Sequence, residues 1–182
     1  VGFDPWIIAL MAVRAALLVP VFWFWLANKP RPLLISIVAL NTTLTLGVAV
    51  SCGALVVALM GPIATVGDFF VFDLVLLGAA NVLVFSVWFW IIDPPGIHPE
   101  LPLRDDWEFL FPQRNSVRAI DKEWIPGYTE YLYVSFVVSF TFGPADVVPL
   151  SRRAKILVMI ETLISLVIIA VLAANVISAV QG

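Results

Sequence analysis

Apolar residues dominate this chain in stretches of twenty or more, separated by short links rich in proline and charge. A helix rises about 1.5 Å per residue, so such stretches are long enough to cross about 30 Å of hydrocarbon. Four of them, at about 5–27, 33–60, 69–92 and 152–179, predict an all-α, polytopic membrane protein whose four transmembrane helices form a single membrane domain over 1–182. The first, from Pro5 to Ala27, lacks a basic leader and a small-residue cleavage site. It ends in Phe22-Trp23-Phe24-Trp25, which suits an interfacial aromatic belt, so it reads as a retained helix. The link Asn28-Lys29-Pro30-Arg31-Pro32 stops that helix and lets an antiparallel partner begin. In the second span Gly47 and Gly53 sit among Asn41, Thr42, Thr43, Thr45 and Ser51, small and weakly polar residues that suit close helix packing better than ligand binding. Asp68 opens the third span after Gly61-Pro62, and Asp93-Pro94-Pro95-Gly96 closes it.

Two segments lie outside this pattern. Residues 93–127 carry Pro94, Pro95, Pro99, Pro102, Pro112 and Pro126, the aromatics Trp107, Phe109, Phe111 and Trp124, and most of the charge. They predict an ordered interfacial cap anchored at the headgroups by Trp and Phe. Within 128–149, the apolar part from about Tyr131 to Phe142 is too short to span and is closed by Gly143-Pro144. It predicts a re-entrant or interfacial half-helix followed by extended backbone, an arrangement tolerated at membrane depth only where protein or a water-filled cavity shields it. Ser151 then stands where it can cap the last helix, which begins at Arg152.

Hydrophobic residues make up 62% of the 182 positions and charged residues 13%, against about 25% charge in ordinary soluble domains. With a mean hydropathy of +1.03, water is not the main solvent. The single cysteine, Cys52, permits no intrachain disulfide. A net charge of -3, with Lys and Arg interspersed among acids, leaves no nucleic-acid footprint. No nucleophile elbow, phosphate loop, zinc-protease motif or second histidine is present, so neither catalysis nor a cofactor is expected. His98 and Glu100, with Asp105, Asp106 and Glu108 nearby, are metal-ligating residue types. A lone histidine among solvated acids reads as surface decoration, and no metal is expected.

From Tyr133 onwards, Tyr133-Val-Ser135-Phe136-Val137, Thr141-Phe-Gly143, Asp146, Pro149-Leu-Ser151 and Ala154-Lys-Ile-Leu-Val-Met-Ile-Glu161-Thr-Leu resemble the pore helix, filter and inner helix of tetrameric potassium-channel pore modules. The resemblance implies that the third span is the outer helix. It also implies that Thr141, Phe142, Gly143, Pro144, Ala145 and Asp146 stand where the family has Thr-Val-Gly-Tyr-Gly-Asp, whose carbonyl rings replace the water around the ion. Here Pro144 replaces the tyrosine and Ala145 the second glycine. Proline fixes φ and removes an amide hydrogen, and alanine accepts poorly the angles that glycine permits, so a potassium filter of the usual geometry is not expected. Across nearly the whole chain, Asn81-Val-Leu-Val-Phe with a Trp-rich helix end, Phe109-Leu-Phe-Pro-Gln113 and Tyr131-Leu-Tyr-Val-Ser-Phe resemble uncharacterised bacterial four-helix membrane proteins related to that module. That likeness implies a bacterial inner membrane and a degenerate selectivity filter, and it carries no activity with it.

Arg14, Asp73 and Glu161 are ionisable residues within spans, where an unpaired charge costs at least about 2.5 to 3.5 kcal/mol. Counted from the end that the first and third spans share, Arg14 and Asp73 differ in depth by about 6 Å, which an arginine stem covers. An Arg14–Asp73 pair is therefore expected, with an ion or proton pathway as the alternative. Glu161, near mid-membrane, reads as a third partner or as a protonated helix contact. Asp146 either concentrates cations at a pore mouth or caps the turn before the last helix, and the cap is the expectation.

With four spans, Lys29, Arg31, Arg104, Arg114, Arg118, Lys122, Arg152, Arg153 and Lys155 all fall on one side. The positive-inside rule predicts a cytoplasmic cap with both termini outside, whereas the potassium-channel likeness implies the opposite orientation; the short loop holding Lys29 and Arg31 favours the charge rule. The expected partners are the lipid bilayer and either further copies of the chain or a larger membrane complex. Two functions compete on one fold: an altered pore, non-selective or non-conducting, and a structural or accessory subunit. The chain's end at Gly182 is expected to leave no room for a ligand-sensing domain, and its start at Val1 leaves open whether residues precede it.

Overall fold

The structure is a computed structural model that describes residues 5–60, 68–94, 107–115, 124–144 and 146–181. Four long helices, α1 (Pro5–Leu26), α2 (Pro30–Met60), α3 (Asp68–Ile92) and α6 (Arg152–Gln181), accompany the short α4 (Pro112–Asn115) and the fourteen-residue α5 (Tyr128–Thr141). Two short strands, β1 (Phe109–Leu110) and β2 (Val148–Pro149), pair antiparallel with Phe109 opposite Pro149 and Leu110 opposite Val148. Three stretches, Pro30–Val57, Val71–Ile92 and Arg152–Ile177, are long and apolar enough to cross a membrane.

The first two helices form a hairpin whose turn is tighter than the sequence suggests. Asn28 adopts the left-handed conformation with φ 52°, its N–H donates to the Trp25 carbonyl (3.2 Å), and the Lys29 N–H donates to Phe24 (3.0 Å). These are the paired bonds of a Schellman closure with asparagine in the position that glycine usually holds. Pro30-Arg31-Pro32 does not lie in the link. It forms the first turn of α2, where a missing amide hydrogen costs nothing.

The core lies where α3, α5 and α6 meet. Phe85 and Phe89 from α3, Tyr131, Val134 and Val138 from α5, and Ala154, Val158 and Val171 from α6 are buried there. Part of the cap belongs to this core. Phe109 stacks edge-on against Phe89 (5.1 Å) and Phe111 against Tyr131 (5.6 Å) and Trp124 (5.6 Å). The headgroup anchoring expected of these rings therefore fails for Phe109 and Phe111, which fill protein, and suits the exposed Trp107 better than the half-buried Trp124. His98, Glu100, Asp105 and Asp106 lie outside the described residues.

Polar residues of α2 serve packing. Thr42, Thr43 and Thr45 hydroxyls donate back to carbonyls of their own helix, Asn41 Nδ2 donates to the Val84 carbonyl (3.1 Å) and Trp88 Nε1 donates to Thr45 Oγ1 (2.8 Å). Gly47 admits a neighbour closely, since a Cβ there would meet the Arg14 guanidinium, while a Cβ on Gly53 would meet nothing within 4 Å.

Candidate functional site

The half-helix α5 is fixed at its start by a buried ionic hub. Asp93, at the end of α3 and 0% exposed, accepts four hydrogen bonds: from the Glu108 N–H (2.7 Å), the Phe109 N–H (3.1 Å), Arg114 Nη1 (3.2 Å) and the Tyr131 hydroxyl (2.6 Å). Arg114, its side chain 4% exposed, also donates to the carbonyls of Phe109 (2.7 Å) and Pro94 (3.2 Å) and lies over the Trp107 ring at 4.5 Å. Burial first, then the Asp93 carboxylate, hold the Tyr131 phenol well above its ordinary range, so it remains a donor. This hub ties α3, the segment 107–115 and α5 into one unit.

At its other end α5 stops on Phe142, which is left-handed (φ 59°) and donates its N–H to the Val138 carbonyl at 3.0 Å. The adjacent Gly143 does not take the left-handed position, and a Cβ on it would meet nothing within 4 Å. Thr141 is exposed, its hydroxyl within reach of the Val137 (2.8 Å) and Gly143 (2.9 Å) carbonyls. The Val147 N–H closes a turn onto the Pro144 carbonyl at 3.0 Å. Asp146 is exposed and makes no side-chain hydrogen bond among the described residues, so the local cap expected of it is not formed there; it borders a small cleft with Glu130, Tyr133 and Gln113. Ala145 lies outside the described residues. The chain then enters β2, and the Leu150 N–H donates to the Glu108 carbonyl (2.8 Å). Ser151 caps α6 as expected, accepting from the Ala154 N–H at 3.1 Å while its hydroxyl pairs with the Glu108 carboxylate.

The intramembrane charges are not paired as expected. Arg14 Nη2 donates to the Thr43 carbonyl (3.2 Å), on the helix that α1 packs against, while Asp73 is exposed on α3. Compatible depth does not fix a partner, and α2 takes up Arg14 first. Glu161 is 0% exposed, and its Oε1 accepts from the Ser135 hydroxyl and from Ser139 (3.1 Å), both on α5. Sequence reading missed these serines. Their spacing of four, matched by that of Glu161 and Ser165 on α6, is the signal that could have found them.

Residues 111–182 match the family model described as ion channel. No curated protein and no solved structure matches the chain. The matched stretch begins inside the buried hub, takes in α5 and the turn after it, and continues through α6. With its long apolar helices, the chain is an integral membrane protein that carries an ion-channel-like domain over residues 111–182.

Proposed function

We propose that this chain forms a pore in which α5 and the turn after it make a re-entrant hairpin, several copies surrounding one axis and passing small cations with little preference for potassium. The observation that carries this reading is the junction at Thr141 to Pro144: a half-helix about 21 Å long stops on a left-handed residue, with Thr141 and Asp146 exposed beside it. In this reading α1 is a fourth span, α3 the outer and α6 the inner helix, and the whole chain is one membrane domain that catalyses no chemical step. Lipid and further copies of the chain are the partners. Exposed Tyr133, Phe136 and Phe140 on α5, with Met159 and Leu163 on α6, supply apolar surface for both. Asp146 concentrates cations near the mouth, and Pro144, lacking an amide hydrogen, argues against a potassium filter. The Lys and Arg bias favours a cytoplasmic cap in a bacterial inner membrane.

A second reading, in which the degenerate filter no longer conducts and the chain is an accessory subunit, is favoured by Thr141 itself. Its hydroxyl has one hydrogen and lies against two local carbonyls, one of them Gly143 in the filter-like turn. Sodium and potassium flux into liposomes holding the purified protein separates the two. Flux that Thr141→Ala or Asp146→Ala abolishes supports the pore, and silence from a folded protein supports the subunit.

A further inference from the structure

Among the described residues, two buried oxygen acceptors lack a donor. Glu161 Oε2 and Asn81 Oδ1 have no hydrogen-bond partner, and their residues are 0% and 1% exposed. An unsatisfied buried polar group costs about 1–3 kcal/mol, and an uncompensated carboxylate costs more.

Both atoms belong to one cluster at the junction of three helices. α6 contributes Glu161 and, one turn on, Ser165; α5 contributes Ser135 and Ser139; α3 contributes Asn81 and the Val82 carbonyl. Asn81 Nδ2 donates to Ser165 Oγ at 2.9 Å, and Ser139 Oγ donates to Glu161 Oε1 at 3.1 Å. Ser135 Oγ lies between Glu161 Oε1 and the Val82 carbonyl (2.8 Å), and its one hydrogen cannot serve both. With the carboxyl ionised, the cluster has more acceptors than hydrogens. The basic residues at the start of α6, Arg152, Arg153 and Lys155, are exposed, and Arg114 is committed to Asp93. Among the described residues, no cation reaches it, so the cluster needs a proton or a positive charge from outside.

We propose that these residues bind one monovalent alkali cation behind α5, held by Glu161 Oε2 and Asn81 Oδ1 with the serine hydroxyls around it. One carboxylate balances one positive charge, whereas a divalent ion would leave a buried surplus. Carboxylate, amide and hydroxyl oxygens are the donors that hard cations take. A largely apolar groove of about 420 Å³ between α3, α5 and α6, bordered by Gly78, Phe136 and Phe140, reaches Ser139 and Ser165 at the cluster's edge. The bound ion ties α5, and with it the Thr141 to Pro144 turn, to the two long helices. This holds whether or not the turn conducts.

The test uses the full chain in lipid nanodiscs, with NaCl exchanged for choline chloride at constant ionic strength. Thermal unfolding and the infrared band of protonated carboxyls are followed together. The unfolding midpoint is expected to rise and saturate with NaCl, the unfolding constant falling about 100-fold at 100 times the half-saturating concentration. Glu161→Gln and Asn81→Ala abolish the response, while Thr141→Ala keeps it, which separates this site from the filter-like turn. In choline the Glu161 carboxyl band is present, and NaCl removes it. A wild-type midpoint indifferent to NaCl overturns the proposal. So does a response that survives in Glu161→Gln, or a carboxyl band that persists in saturating NaCl, since a proton or a water then fills the cluster. Should both variants fail to fold, Ser139→Ala decides. A several-fold rise in the half-saturating NaCl concentration supports the site, and an unchanged one refutes it.

Discussion

Replacing Tyr131 by phenylalanine removes one hydroxyl from the buried hub and leaves the ring where it packs, between Phe109 and Phe111. The hydroxyl donates to a buried carboxylate at 2.6 Å, and hydrogen bonds to charged groups contribute about 1.5–3 kcal/mol. Asp93 keeps Arg114 and two backbone amides, so the cost should fall at the low end of that range, about 1.5–2 kcal/mol. Asp93→Asn should cost more, about 3–5 kcal/mol, because it leaves the Arg114 guanidinium buried without its counter-charge. Native-state hydrogen exchange over the described cap and the first turns of α5 reads these losses locally, and thermal unfolding reads them globally. Alkaline pH supplies an independent check. The folded phenol is held well above its ordinary value, while in the unfolded chain it ionises near pH ~10. The folded state keeps a proton that the unfolded state loses, so stability falls by about 1.4 kcal/mol per pH unit through this residue above pH ~10. Tyr131→Phe lacks that component, so the two stability curves should converge as pH rises. Parallel curves, or a variant as stable as wild type at neutral pH, would refute the hub as a stabilising device.

Gly47→Ala should lower the unfolding midpoint relative to Gly53→Ala, because the new methyl displaces the Arg14 guanidinium from the Thr43 carbonyl; the lost hydrogen bond costs about 0.5–1.5 kcal/mol, whereas Gly53→Ala meets nothing and should gain about 0.5–1 kcal/mol of helix propensity. Phe142→Gly should gain up to about 1 kcal/mol of backbone relief at a left-handed position, and Gly143→Ala should be tolerated, so the reverse ranking in thermal unfolding would show that the turn is not closed by Phe142. Ser151→Ala should cost about 1–2 kcal/mol as the α6 cap and the Glu108 contact are lost, and Ser151→Thr should restore most of it.

The long helices were legible because hydrocarbon thickness converts directly into residue count, and the short helix α5 because its apolar run is too short to span. Neither inference needs to know what touches what. The hub needed that knowledge. Asp93 looked like a helix stop, Arg114 one cation among several, and Tyr131 the first residue of an apolar run, yet they meet across 21 and 38 positions of chain. No periodicity reports a contact of that kind. Arg14 fails for the same reason: depth in a bilayer constrains a partner's level and leaves its identity open, and the carbonyl of Thr43 met the guanidinium before any carboxylate did.

The half-helix shows what these non-local contacts accomplish together. Tyr128, Tyr131, Ser135 and Ser139 recur every three or four positions and so share one face of α5, and each spends its hydroxyl inside the same chain: on Ser86, on Asp93, on Val82 or Glu161, and on Glu161. Tyr133, Phe136 and Phe140 lie on the opposite side and are exposed. A helix of this length, free in lipid, would leave terminal amides and carbonyls unsatisfied and would drift. Here one face is fastened at successive turns to α3 and α6, so the turn at Thr141 to Pro144 is carried at the tip of a fixed support. Because most of its polar groups are consumed internally, α5 offers a neighbour a mainly aromatic outward face that carries the Tyr133 hydroxyl. In the proposed pore, assembly around the turn then rests largely on shape, and Phe136→Ala with Phe140→Ala should shift the oligomer distribution in native mass spectrometry without lowering the unfolding midpoint of the single chain.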